Sequence, residues 1–149
     1  MIKKIILITL IITILTATAS AVEIADLNIP SYYIEDTNGL YELNTDENVH
    51  LYIGNYSLNE EVFNSNVEDG YLVTNIGNNT YYFIDETLNQ AGLQELVEID
   101  GVKYVISISK DKTSELSNAD KVLFEEDLNK INNDNDLTPV EVWIRKGCS

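Results

Sequence analysis

The chain has 149 residues, 44% of them hydrophobic, which is enough for one hydrophobic core. Its 25 acidic and 9 basic residues give a formal net charge of −16, which repels the phosphates of nucleic acids and anionic membranes. One histidine and one cysteine cannot supply a clustered zinc site or an intramolecular disulfide.

The first 21 residues have the pattern of a secretory signal peptide. Lys3 and Lys4 precede an apolar run from Ile5 to Leu15, and Ala19-Ser20-Ala21 provides a small-x-small cleavage site. An uncleaved membrane anchor is the alternative, but a spanning helix needs about 20 apolar residues and this run is shorter. We therefore predict cleavage, export, and a mature chain of formal charge −18 that has no membrane span.

Strand signals dominate the first half of the mature chain. Apolar residues between turn clusters predict strands at 32–34, 40–43 and 49–53. Ser57, with Glu60 three residues later, has capping-box spacing and predicts a short helix. Tyr71–Ile76 and Thr80–Ile84 then form a predicted hairpin, and Glu86–Ala91 is expected to be a brief helical or turn segment.

The clearest local signal is the stretch 95–109, which is centred on Asp100-Gly101. Asp-Gly favours a two-residue type I′ hairpin, because both central positions need positive φ. This turn pairs Ile99 with Val102 and Glu98 with Lys103. The predicted core face of the hairpin carries Val97, Ile99, Val102, Tyr104, Ile106 and Ile108.

A helix and a final strand follow this hairpin. Ser117 is the predicted N-cap, and Asn132–Asp136 is predicted to end the helix. Glu126 and Lys130 have the spacing of a favourable i,i+4 pair. Pro139–Arg145 reads as an alternating strand. The apolar stripe of the helix is predicted to contain Ala119, Val122, Leu123, Phe124, Leu128 and Ile131.

These elements predict one domain over residues 22–145 and a flexible tail over 146–149. Because hairpins alternate with helical segments, the expected class is α+β: an antiparallel, hairpin-rich sheet with helices covering one face. The strand-like apolar clusters argue against disorder, which an acidic, Asn-rich composition would otherwise suggest.

The sequence assigns no catalytic or cofactor-binding residue, and it implies no cofactor. His50 lies between two apolar residues of a predicted strand, so we expect a surface or edge position rather than a catalytic base. Cys148 lies in the tail and is a candidate for an intermolecular disulfide. The sequons at Asn55 and Asn78 are glycosylation candidates, although two sequons match chance expectation.

Acid–base catalysis by paired carboxylates is the one kind of catalysis that the composition leaves open. Glu60-Glu61, Glu125-Glu126-Asp127 and the pair Asp134 and Asp136 are neighbours that glycosidase-type chemistry could use. Asp134 and Asp136 are also weak metal-site candidates. The calcium-loop pattern fails, however, because its sixth and twelfth positions, which require Gly and Glu, hold Leu and Trp.

Several local patterns together resemble the small uncharacterised secreted proteins of methanogenic archaea. They are the signal peptide, Leu27-Asn28-Ile29-Pro30 followed by Glu35-Asp36, and the hairpin Val97–Asp111 before a terminal helix. The resemblance implies an exported, single α+β domain, and it carries over no functional residue.

The sequence favours a secreted or cell-surface acidic interaction domain without enzymatic activity. Its expected partner is a cationic protein or surface polymer, because like charge disfavours nucleic acid. Two alternatives stay open, namely an extracellular carboxylate-dependent hydrolase and a surface subunit linked through Cys148.

Overall fold

A computed structural model of the protein describes residues 27–55 and 72–141. Within these residues one helix, α1 (Asn118–Asp134), accompanies a set of strands. The strands are β1 (Tyr33–Thr37), β2 (Leu40–Leu43), β3 (Asp46–Asn55), β4 (Leu72–Gly77), β5 (Thr80–Asp85), β6 (Gln90–Ile99), β7 (Val102–Asp111) and β8 (Pro139–Val140).

All strand pairs of the sheet are antiparallel, and the order across it is β1-β2-β3-β7-β6-β5-β4. Two meanders, β1-β2-β3 and β4-β5-β6-β7, therefore meet where β3 pairs with β7. Strand β8 pairs with Leu96 and Val97 of β6, just beyond the residues of β6 that pair with β5. Strand β8 thus continues the row of β5 along the same side of β6.

The predicted α+β class is wrong, because the described chain is mainly β, with 53% strand and 17% helix. The segment Glu86–Ala91, predicted as brief helix or turn, is a turn that leads into β6. Ala91 pairs with Ile84 on one side and Lys110 on the other, and these non-local hydrogen bonds override its local helix propensity. The helix predicted to start at Ser57 lies outside the described residues.

The central β6–β7 hairpin confirms the register predicted from Asp100-Gly101. Both turn residues have positive φ, 50° and 80°, as a type I′ turn requires. Ile99 pairs with Val102, and Glu98 with Lys103. The predicted core face is confirmed: Val97, Tyr104, Ile106 and Ile108 are buried, and Ile99 and Val102 pack against the core as half-buried residues.

Helix α1 begins where Ser117 predicts, since the Asp120 amide donates to Ser117 Oγ at 3.1 Å. Its predicted apolar stripe is partly wrong, because Ala119, Val122 and Leu123 are exposed. Lys130 pairs with Asp134 at 3.2 Å rather than with Glu126. The buried side of α1 is a narrower stripe that includes two polar residues, and it consists of Phe124, Asp127, Leu128, Ile131 and Asn132.

Gly92 of β6 is required by close packing on the face of the sheet away from α1. A Cβ added there would lie 2.7 Å from Phe83 Cζ and would also collide with the carbonyl oxygen of Ile108. Gly101, by contrast, has open space around the same position, and only its positive φ favours glycine.

We expect Gly92→Ala to destabilise the protein by about 3 kcal/mol, because a neighbouring backbone group has to shift. Gly101→Ala is the matched control and should cost about 1 kcal/mol, through backbone strain alone. Urea unfolding curves of both variants measure the difference. Equal losses would show that the Phe83 ring does not cover Gly92.

Candidate functional site

A continuous row of residues crosses the sheet on the face away from α1. In register order its first members are Ile34 of β1, Glu42 of β2, His50 of β3, Ser109 of β7 and Gly92 of β6. The row begins with an exposed apolar side chain and an exposed carboxylate at the edge, and it becomes buried toward the centre. It therefore joins the β1 edge directly to the polar centre of the sheet.

His50 belongs to a hydrogen-bonded network at the centre of this row. Its Nε2 lies 3.1 Å from Asp111 Oδ2. Gln90 Nε2 donates both to Asp111 Oδ1, at 3.0 Å, and to Ser109 Oγ, at 2.9 Å. The network thus ties together β3, β7 and β6 through side chains as well as through the backbone.

The network brings a serine, a histidine and an aspartate together, but not in the arrangement of a catalytic triad. Ser109 Oγ accepts a hydrogen bond from Gln90, and Ser109 is only 7% exposed. A nucleophilic serine needs a histidine base in contact and access to substrate. We therefore assign the network to holding strands together. The sequence prediction for His50 missed its partner Asp111, which only the β3–β7 pairing brings close.

Asp127 is a buried carboxylate that anchors the start of β1 to α1. It is 4% exposed, and its two oxygens accept from the hydroxyls of Tyr32, at 2.6 Å, and Tyr33, at 2.7 Å. Burial, followed by the hydrogen bond to Asp127, raises the pKa of Tyr32 to about 12. The same causes raise the pKa of Tyr33 further.

Glu95 is a second buried carboxylate on the same side of the sheet. It accepts from Thr80 Oγ1 at 2.6 Å and from Asn132 Nδ2 at 2.5 Å. Burial raises the pKa of Glu95. Of the described carboxylates singled out from the sequence, only Asp127 is buried, and Glu60 and Glu61 lie outside the described residues. No local pattern predicted a role for Glu95, because its partners lie on other elements.

The exposed carboxylates of β1, β2 and β3 lie at one edge of the sheet, and we call this group the acidic rim. The rim consists of Glu35, Asp36, Glu42 and Glu47. None of the four is in an ion pair with another described residue. The rim also affects a neighbouring side chain, Tyr41 of β2. Burial, followed by the negative charge of Glu35, raises the pKa of Tyr41.

Several lysines are engaged within the fold, unlike the rim carboxylates. Lys110 Nζ lies 3.3 Å from Asp120 and 3.6 Å from Asp46, and the hydrogen bond to Asp120 is the largest cause that raises its pKa. Lys121 Nζ stands 4.7 Å from the centre of the Tyr82 ring. These two lysines are therefore engaged by groups that lie outside the acidic rim.

Asp134 and Asp136, the two candidate metal ligands from the sequence, have different surroundings. Asp134 pairs with Lys130, and Asp136 is an exposed residue with φ of 54° just after the helix. Across residues 27–55 and 72–141, no group of three or more His, Cys, Asp or Glu side chains could hold a metal ion.

The glycosylation candidates differ in accessibility. Asn78 is exposed in the β4–β5 turn, whereas Asn55 is half-buried at the end of β3. Thr80, the third residue of the Asn78 sequon, donates its hydroxyl hydrogen bond to Glu95. Cys148 and the predicted signal peptide lie outside the described residues.

Comparison with models of known protein families, with curated proteins and with solved structures finds no match. The resemblance to secreted archaeal proteins therefore stays a prediction from the sequence. In the described part of the chain, no helix has the length and apolarity needed to cross a membrane.

The Asp127 anchor predicts unequal effects of two similar substitutions. Tyr33→Phe should lower the free energy of unfolding by about 1–3 kcal/mol, because it leaves a buried carboxylate oxygen without its donor. Tyr32→Phe should cost less, since the hydroxyl of Tyr32 is only part-buried. Chemical denaturation at neutral pH measures both variants, and an equal or reversed order would contradict the assigned anchor.

The raised tyrosine pKa values also predict alkaline sensitivity. Between pH 10 and about 12 the unfolded chain loses the Tyr32 proton while the folded chain keeps it, so stability falls as pH rises through this window. The fall should be smaller in Tyr32→Phe than in wild type. Denaturation midpoints across this range measure it, and identical slopes for the two proteins would contradict the prediction.

Proposed function

We propose that the protein is an exported, acidic interaction domain that acts by binding and not by catalysis. Its partner would be a cationic protein or surface polymer, which engages the acidic rim. The observation that carries this proposal is the exposure of four rim carboxylates that have no ion pair among the described residues. Export rests on the signal-peptide pattern of the first 21 residues.

The position of the rim supports a binding role. The carboxylates lie on three neighbouring strands at one end of the sheet, and β1 is the terminal strand of the described order. Ile34, 55% exposed on β1, adds an apolar contact beside Glu42, its register partner. An edge of the sheet that carries several like charges and an exposed apolar side chain can both steer and retain a basic partner.

The hydrolase alternative gains no support from the buried carboxylates. Asp127 and Glu95 are bonded to tyrosine, threonine and asparagine side chains that connect α1 with the sheet. A glycosidase instead needs one carboxyl group as an acid and another as a base or nucleophile, both in contact with substrate. Their contacts make these two groups structural.

Immobilised polylysine is a direct probe of the proposed surface. The variant E35Q/D36N/E42Q/E47Q should bind it roughly tenfold more weakly than wild type at an ionic strength of about 0.01 M. The matched control E86Q/E98Q/E115Q/E141Q removes the same charge from exposed residues elsewhere and should lose clearly less. Binding should vanish near 1 M salt, where the screening length is about 3 Å.

Biolayer interferometry of the three proteins at both salt concentrations provides the measurement. Equal losses in the rim variant and the control would reduce the effect to net charge and would overturn the rim as the binding surface. Circular dichroism of both variants checks that the sheet is intact, since every substituted residue is exposed.

A further inference from the structure

The most unusual buried group on the described part of the chain is Glu95, on the central strand β6. It is 2% exposed, and both carboxylate oxygens are hydrogen-bonded: Oε1 accepts from Thr80 and Oε2 from Asn132. No lysine, arginine or histidine among the described residues forms an ion pair with it. It is therefore a buried carboxyl group for which the residues of 27–55 and 72–141 supply no counter-charge.

The described elements around Glu95 present no positive charge to it. On β7, Ile106 pairs with it directly, and Tyr104 is the next residue on that face. On β5, Thr80 is its register partner. From α1, Asn132 contacts it, and the charge of Glu125 opposes its ionisation. The hydrogen bonds from Thr80 and Asn132 favour the ionised form of Glu95, but no described cation offsets the desolvation of the carboxylate, and the net effect raises its pKa.

Asn132 adds an independent sign that this contact is incompletely satisfied. The residue is 6% exposed, and its Oδ1 has no hydrogen-bond partner within the described structure. A buried amide with one free acceptor leaves the contact between α1 and β6 dependent on a single donated hydrogen bond. Ionisation of Glu95 would strengthen that bond, so the cost of ionisation lies in the desolvation of the buried charge and not in the hydrogen bond.

The last turns of α1 connect this contact to the beginning of the described chain. Asp127 accepts hydrogen bonds from the hydroxyls of Tyr32 and Tyr33. Asn135, which caps the helix, accepts from the Asn28 amide at 2.6 Å and donates to the Asn28 carbonyl at 2.9 Å. A shift of the end of α1 away from the sheet would therefore also release residues 27–33.

We propose that Glu95 binds its proton more tightly in the folded protein than in the unfolded chain and acts as a pH-controlled latch. In the protonated form Oε1–H donates to Thr80 Oγ1, while Oε2 still accepts from Asn132. Loss of the proton places a negative charge between β6 and α1, where the described residues supply no counter-charge. Hydration of that charge favours opening of the C-terminal half of α1 together with residues 27–33. The latch is separate from the acidic rim, so the proposed binding function can fail while the latch stands, and the reverse also holds.

The direction of the pH effect follows from the proton balance. Above the ordinary pKa of 4.5 the unfolded chain has lost the Glu95 proton, whereas the folded chain keeps it, because burial raises its pKa. Stability is therefore greatest at the acid end of this window and falls as pH rises toward the folded pKa. The folded-to-unfolded ratio drops by up to tenfold for each pH unit, until the folded group also ionises.

Nuclear magnetic resonance on the full chain tests the proton directly. The Cδ shift of Glu95, assigned by its absence in Glu95→Gln, should titrate clearly above pH 4.5 in the wild-type protein. Hydrogen exchange, corrected for its intrinsic pH dependence, should show several-fold loss of protection at Asn28, Tyr33 and Asn132 as pH rises through that titration. Other described core amides, such as that of Ile108, should change less.

Two substitutions separate the latch from general charge repulsion. Glu95→Gln keeps the shape of the side chain and can satisfy both hydrogen-bond partners. In this variant, hydrogen exchange at Asn28, Tyr33 and Asn132 should therefore no longer follow the titration of residue 95. Glu98→Gln is the control, because it removes one charge from an exposed position of the same strand, and it should keep the wild-type pH dependence.

A Glu95 titration at or below 4.5 would overturn the proposal. Unchanged pH dependence of exchange in Glu95→Gln would also overturn it. If Glu95→Gln does not fold, the wild-type carboxyl titration, assigned by through-bond correlation to the Glu95 backbone, decides the question alone.

Discussion

The register of the β6–β7 hairpin is the constraint on which the rest of the structure depends. The Asp100-Gly101 turn pairs Val97 with Tyr104, and every later pair along the two strands follows from it. Alternate residues of a strand point to opposite faces, so this register directs Glu95 toward α1 and Ser109 toward the other face. A slip by one residue would exchange the two faces of the strand. The apolar core and both polar contacts therefore depend on one two-residue turn.

Helix α1 is held to the sheet by a narrow apolar stripe and by buried polar contacts at separate points. Phe124, Leu128 and Ile131 supply the apolar contact, which alone tolerates sliding of the helix along the sheet. Asp127 and Asn132 meet fixed hydroxyl and carboxyl groups on different strands, so they restrict the helix to one position. Apolar burial thus supplies much of the stability in this contact, while the polar groups define its geometry.

The sequence predicted well those features that depend on neighbouring residues. The Asp100-Gly101 hairpin and the Ser117 cap are local, and both are confirmed. The segment Glu86–Ala91, predicted as helical or a turn, is a turn that runs into β6, and Ala91 is held by strands on both sides, which no local pattern reveals. The contacts of His50 and Glu95 were missed for a similar reason, since each joins elements that are distant in the chain. The mainly β class follows from these same long-range pairings.

The division of the sheet into two meanders has a consequence for how the chain reaches its native state. Strand β3 completes the first meander, yet its second partner is β7, the last strand of the other meander, with Val49 paired to Lys110. During synthesis, the β3 edge, which includes Leu51 and Ile53, must stay uncovered until β7 emerges. Pairing at such sequence separation is slow compared with local hairpin formation. The newly made chain therefore passes through an interval in which an apolar edge is exposed to other chains, and chaperone contact would be most valuable then.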